Sequence, residues 1–346
     1  MKTQAKLEYK IPNIFIVSSG RSGTSLLTSI LNASQQINIP YESDFIARAY
    51  PFYKHKTNFN HKDYQQIFKL FKETSQPKGW GMSEEYLLSI LDKKNPQTFT
   101  QVFGTICEAY HQSVGAENLL WGIKAPVLIA SIDRIIKVNE NAKIVHIVRD
   151  GRDVYLSYKN VHDKSKIKFG PRGLVSNALY WIDGLRRIEE FGKNYSNIYE
   201  FSYEDMLNNP QEEFKQLCDF IGIEYIPEMH ENYFKSQTNK ELVSPELMNS
   251  IHTKLKGGLD PKNTKKYLTK MSKSELFWYE IIAYPYLKKY GYEIHTSSFY
   301  SMLFYPLRLI IYFLARLFND LRYSKRDRIF YKQSLALMSE NMNESH

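Results

Sequence analysis

The sequence predicts an α/β fold: a central parallel sheet flanked by helices, followed by a C-terminal helical extension. Three adjacent observations carry that expectation. Asn13 to Val17 (NIFIV) is a short apolar run with the length and composition of a buried strand. A Gly/Ser-rich turn occupies 18–23. Thr24 to Ala33 (TSLLTSILNA) then spaces Leu26, Leu27, Ile30 and Leu31 at helical intervals. Strand, loop and helix in that order open a parallel α/β sheet.

The remaining elements follow from the same patterns. Residues 59–118 read as mostly helical, with aromatic and aliphatic residues set among charges. Trp121 to Lys124 (WGIK) is a weak strand signal stopped by Pro126, and Lys143 to Val148 (KIVHIV) is the clearest second strand. A helix is expected from about Asp153, a third strand at Asn197 to Phe201, and an amphipathic helix over Phe214 to Ile221. The Lys-rich stretch 252–273 reads as a mobile or ligand-ordered loop. These elements place a main domain at 12–295 and an extension at 296–346.

The extension differs in composition. Phe299 to Phe318 is strongly apolar, yet Pro306, Arg308 and Arg316 interrupt it. On a helical wheel Arg308, Tyr312, Arg316, Asn319 and Tyr323 share one side, and Arg322, Arg326 and Arg328 continue the basic character. Arginines inside the span argue against a simple membrane crossing. Peripheral contact with a membrane surface through 299–328 fits this pattern. A helix docked on the main domain or on a second subunit fits it as well.

Bulk properties narrow the class. At 346 residues, 43% hydrophobic and 24% charged, the chain can bury a core, which excludes global disorder. The formal net charge of +9 suits an anionic partner. Cys107 and Cys218 lie in no metal-ligand or redox spacing, and Met1 to Ile11 has no apolar h-region. Both features lead us to expect reduced thiols and a cytoplasmic setting, peripheral at the inner face of a membrane.

The loop at 18–25 carries the first chemistry. Between a strand and a helix N-terminus, backbone N–H groups converge on an anion and the helix dipole adds partial positive charge. Gly20 and Gly23 allow close approach, while Thr24 and Ser25 add hydroxyl donors in the loop that also holds Arg21 and Ser22. The nucleoside-triphosphate version of such a loop places a lysine after its last glycine. Here that position is Thr24. A structural turn before a helix would also fit this segment alone. The second chemistry lies at Arg149, directly after the strand 143–148, with Ser157 eight residues on. A guanidinium at the C-terminal edge of the sheet can hold a phosphate in a bidentate contact.

Together these segments resemble the sulfotransferase superfamily of P-loop-like proteins. Arg21-Ser22-Gly23-Thr24-Ser25-Leu26 is similar to its 5′-phosphosulfate loop, and Arg149 with Ser157 to its 3′-phosphate motif. The resemblance implies 3′-phosphoadenosine-5′-phosphosulfate (PAPS) as co-substrate, adenosine 3′,5′-bisphosphate as product, and no metal. Phe201-Ser202-Tyr203-Glu204-Asp205-Met206 with Pro210 resembles the segment that sets a tyrosine near the adenine, here Tyr203. Lys256-Gly257-Gly258 matches the late Lys-Gly phosphate motif incompletely, through Lys256. Lys124-Ala125-Pro126 resembles the family's Lys-x-Pro, whose lysine contacts the donor's bridging oxygen. Glu42 follows Arg21 at the spacing of the catalytic glutamate in the tyrosylprotein-sulfotransferase branch, although Tyr41-Glu42-Ser43 matches that branch only in part. The expected roles are therefore Glu42 as base, with Asp44 as competitor, Lys124 in charge stabilisation and Arg21 beside the sulfuryl group. His111 and His146 are expected to be structural.

The acceptor implied is a hydroxyl on a cell-surface glycan or glycolipid, with a tyrosine or other phenol as the alternative and no nucleic acid partner. Two competing functions share some features. A P-loop kinase of a small metabolite would use the same loop, but Thr24 replaces its lysine. A non-catalytic membrane scaffold would explain the tail, but not the set Arg21, Glu42, Lys124, Arg149 and Ser157.

Overall fold

The computed structural model describes residues 9–76, 78–164, 170–235 and 258–315, and 317 and 332 besides. Five strands form one parallel sheet: β1 Ile14–Val17, β2 Ile37–Asn38, β3 Leu120–Lys124, β4 Lys143–Val148 and β5 Ile198–Ser202. Their order is β2-β3-β1-β4-β5. β1 is central, with Ile16 opposite Lys124 on one side and Val145 on the other.

The alternation of β1 explains why its sequence is apolar at every position. Phe15 and Val17 enter one buried cluster; Ile14 and Ile16 enter another on the opposite face. A parallel strand covered on both sides needs this continuous run. The first face is covered by α2 Phe45–Tyr53, α3 His61–Thr74, α4 Glu84–Lys94, α5 Phe99–Ser113 and α6 Ile132–Val138. The second is covered by α1 Thr24–Ala33, α9 Tyr203–Asn208, α10 Pro210–Ile221 and α11 Glu228–Glu231. A third cluster joins α7 Gly151–Lys164 and α8 Leu174–Gly192 to α13 Lys273–Lys289. Side-chain caps fix several starts, including capping boxes at Asn60, Thr98 and Ser272. Cys107 and Cys218 are buried and free.

Helix α1 and strand β4 have the bounds the periodicity predicts, β1, β3 and β5 shift by one residue, and α10 starts four residues earlier. Two expectations change. The two-residue strand β2 was too short to show a period, and it forms because Ile37 and Asn38 pair with Leu120 and Trp121. The described part of the Lys-rich stretch is not one loop. It holds a 3-10 turn at Pro261–Asn263 and the short helix α12 Tyr267–Lys270, where the Tyr267 N–H donates to Asp153 at 3.0 Å. Residues 252–257 lie outside the described chain.

Past α13, α14 Ser298–Leu303 and a helical stretch at 305–315 lie against α13. Arg308 and Tyr312 share a side, as the helical wheel predicts, and that side faces the protein. Arg316, Asn319, Tyr323, Arg322, Arg326 and Arg328 lie outside the described residues.

Candidate active site

The strand order lays the site out in a line. The C-terminal ends of β1, β3 and β4 are neighbours, so the Ser18–Ser25 loop sits between Lys124, the last residue of β3, and Arg149, the first after β4. The outer strands extend the line: β2 leads to Tyr41 and Glu42, and β5 leads directly to Tyr203. A cavity of about 1070 Å³ opens at this edge. Gly20, Arg21, Gly23, Thr24, Ser25, Glu42, Arg149, Ser157 and Tyr203 all line it.

The loop is shaped by its backbone. Gly20, Arg21 and Gly23 adopt positive φ of 69°, 58° and 100°. A left-handed conformation is rare outside glycine, so Arg21 is held in a strained turn. Gly23 has no alternative: a Cβ there would lie 2.5 Å from the Tyr203 ring. α1 starts just after it with no side-chain cap and no acidic residue in its first turn. Its first N–H groups thus face the cavity edge, where an anion gains from both the donors and the dipole. Ser22, expected among the donor-binding residues of the loop, does not present its hydroxyl to the cavity. It is fully buried, donates to the Gly20 carbonyl at 3.3 Å and is not among the cavity-lining residues.

Arg149 forms the far wall. It donates to the Arg21 carbonyl at 3.2 Å and the Asn263 carbonyl at 3.0 Å, and it lies over the Tyr203 ring at 4.3 Å. Asp153 is 3.9 Å away. Asp150 is not its partner, because Asp150 pairs with Arg152 at 2.7 Å. The Arg149 Nε is buried with no hydrogen-bond partner among the described residues. A buried arginine that lines the cavity and keeps one N–H without a partner fits an anionic ligand group. Ser157 reaches this wall from α7, but its hydroxyl accepts from Arg21 Nε at 3.1 Å rather than from Arg149. Lys256 lies outside the described residues.

Glu42 forms the near wall, and Lys124 lies behind it, outside the residues that line the cavity. Lys124 is fully buried; its Nζ donates to Glu42 Oε1 at 2.7 Å and to Ser25 Oγ at 3.4 Å, and lies 4.2 Å over the Tyr41 ring. Burial pushes its pKa below the ordinary lysine value, and Glu42 partly restores it. Burial likewise lowers that of Arg21. The Glu42 side chain remains 43% exposed, so one carboxylate meets both the buried ammonium and the open cavity. Asp44, the competing carboxylate, instead pairs with Arg48 at 3.7 Å and is not among the residues lining the cavity.

The two histidines sit in structural surroundings. His111 is stacked on Trp121 at 4.2 Å, hydrogen-bonded to the Cys107 carbonyl at 2.6 Å, and lowered by burial to about 4. His146 lies 3.1 Å from Glu200. Residues the sequence did not single out also line the cavity: Tyr41, Gln76, Tyr158, Tyr180, Asn263 and Lys266. Tyr41 and Tyr158 could have been found as neighbours of Glu42 and Ser157. The others come from elements with no chemical marker in their sequence.

A parallel sheet with a lysine-free phosphate loop at its centre, flanked by a buried lysine and a buried arginine, defines a phosphate-binding α/β protein of P-loop-like architecture. The chain belongs to the sulfotransferase family, whose model matches residues 12–227. It is 25% identical over 95 residues to sulfotransferase 1A1 of Mus musculus, covering 25% of this chain and 32% of that protein. The chain thus spans about a third of the length of this curated relative. The fold is similar to the sulfotransferase domain of the Synechococcus PCC 7002 olefin synthase, with TM-score 0.55 and 19% identity over 85% of this chain and 100% of that one. The sulfotransferase domain from the curacin biosynthetic pathway gives TM-score 0.53 at 19% identity, over 82% and 99%.

Proposed function

We propose that the chain moves a sulfuryl group from PAPS to a hydroxyl acceptor. The observation that carries this reading is the Lys124–Glu42 pair on one side of a lysine-free phosphate loop, with the open Arg149 Nε on the other. When bound, PAPS supplies a sulfuryl group whose S–O bond to phosphate breaks as the acceptor oxygen bonds to sulfur. Adenosine 3′,5′-bisphosphate then leaves. Arg149 and Ser157, with Lys256, hold the 3′-phosphate, and Tyr203 packs at the adenine. Gly20, Arg21, Ser22, Gly23, Thr24 and Ser25 hold the 5′-phosphosulfate, Ser22 through its backbone N–H. Glu42 takes the acceptor proton. Lys124 stabilises charge on the bridging oxygen, and Arg21 does so on the sulfuryl oxygens. No residue in this scheme needs a metal.

The acceptor in this reading is a cell-surface glycan or glycolipid. The aromatic wall of Tyr41, Tyr158 and Tyr180 suits a sugar face. It also suits a phenol, and the Arg21–Glu42 spacing favours that as the second reading. The protein in this reading is cytoplasmic and peripheral at the inner face of a membrane, with 12–295 as the catalytic domain and 296–346 as a membrane-contacting extension. Incubation with 35S-labelled PAPS and separated glycan, lipid and protein fractions tests it. Label in the glycan or lipid fraction is expected. Label in protein alone would move the assignment to tyrosine, and no transfer to any fraction would contradict the activity.

A further inference from the structure

The C-terminal helices carry their polarity inside out. Ser301 and Arg308 are the buried residues of this segment, at 4% and 6% exposure. Arg308 donates to Ser301 Oγ at 3.0 Å and to the Ile281 carbonyl at 3.4 Å, and Tyr312 donates to the Ile282 carbonyl. The polar stripe is thus spent on anchoring the helices to α13. The outward side is apolar: Phe299, Met302, Leu303, Ile310, Phe313 and Leu314 are each more than half exposed, with Met302 at 72% and Phe313 at 64%. A contiguous apolar face of this kind in water marks an interaction surface.

We propose that this face docks on the surface of an anionic lipid bilayer and sets the mouth of the catalytic cavity at the head-group layer. The inference deepens the reading above, in which the acceptor is a glycolipid, and rests on it for the cavity's role. Three observations select a bilayer as the occupant. First, the face continues onto α13 through aromatic contacts, Phe277 with Tyr300 at 5.6 Å and Trp278 with Phe304 at 5.4 Å. With Tyr305, these supply the indole and phenol groups that favour a membrane interface. Second, the chain runs on from this face into a basic segment, with Arg316, Arg322, Lys325, Arg326, Arg328 and Lys332 against Asp320 and Asp327. An apolar face followed by clustered cations is complementary to anionic head groups. Among the described residues no helix is long and apolar enough to cross a membrane, which suits contact in the plane.

Third, the face lies beside the cavity rim. Lys159 and Lys270 line the cavity, and Lys159 donates to Glu275 at 2.7 Å. Glu275 stands in the first turn of α13, three residues before Trp278 and so on the same side of the helix. Docking through Trp278 therefore brings the cavity edge to the membrane, where a lipid-borne hydroxyl can enter without leaving the bilayer.

The test is flotation of the full chain with vesicles of phosphatidylcholine alone and of phosphatidylcholine with phosphatidylglycerol. The native chain is expected to float with the anionic vesicles, and the Met302→Glu/Phe313→Glu variant to partition at least tenfold less. Both side chains are exposed and outside the cavity, so binding of adenosine 3′,5′-bisphosphate by calorimetry should stay unchanged in the variant. Equal flotation of variant and native chain overturns the proposal. So does a native chain that ignores both vesicles, including one that sediments as a dimer which the variant dissolves, since the occupant is then a second copy. Should the variant lose nucleotide binding, the native chain's preference for anionic over neutral vesicles decides, and no preference overturns the proposal. Failure of sulfuryl transfer with flotation intact would count against the catalytic reading alone.

Discussion

The two walls of the cavity are built in different ways. The Arg149 wall is held by backbone: two carbonyls, of Arg21 and Asn263, fix the guanidinium, and the glycine loop beside it has φ values that few other residues adopt. The Lys124 wall is held by side chains. A buried ammonium depends on a half-exposed carboxylate that arrives on the short β2 connection, and on an aromatic ring. A ligand common to a whole family can be gripped by backbone geometry. A variable acceptor needs a wall that changes by substitution. In the proposed reading the Arg149 wall takes the donor and the Glu42 wall the acceptor, and variants of each should fail differently.

The largest effect is expected at the acceptor wall. Glu42→Gln should lower kcat by about 10²–10⁴-fold, the range for a general base, while donor affinity in calorimetry changes little. Wild-type turnover would remove Glu42 from the chemistry. Lys124→Ala should lower kcat by about 10²–10³-fold, as for loss of one charge-stabilising donor. On the donor wall the loss should appear in binding. Arg149→Ala should weaken adenosine 3′,5′-bisphosphate by about 10–100-fold, the equivalent of roughly 1.5–3 kcal/mol for a hydrogen bond to a charged group. Unchanged affinity would break the assignment. The smallest effect is a pH shift. In the proposed scheme Lys124 acts as a cation, so activity should be lost as pH rises through its pKa, and burial lowers that pKa. The alkaline limb of kcat should therefore fall below the ordinary lysine range, and Lys124→Arg should move whatever activity remains to higher pH. In Glu42→Gln the residual limb should move lower still, because the influence that raises Lys124 is gone.

The same contrast explains what the sequence made legible. β1, the loop, α1, β4 and Arg149 were readable because apolar period, glycine and a charged residue after a strand are local signals. Lys124 and Glu42 needed the family spacing, since a lysine ending a weak strand and a glutamate after an unseen one carry no local mark. The role of β2 came only from pairing with β3, and Asn263 and Lys266 reach the cavity through a turn and helix that read as a Lys-rich loop. The tail's amphipathic period was legible, but which side faced inward was not. Arg308 finds the Ser301 hydroxyl seven residues earlier and the Ile281 carbonyl on α13, and only the folded chain brings that carbonyl within reach.

The central claim is that this cavity holds an adenosine 3′,5′-bisphosphate donor rather than a nucleoside triphosphate. Calorimetric titration of the native chain with adenosine 3′,5′-bisphosphate and, separately, with ATP plus Mg²⁺ tests it most directly. Saturable binding of the bisphosphate, weakened by Arg149→Ala, with ATP binding weaker or absent, is the expected result. Tighter binding of ATP plus Mg²⁺ would contradict the account.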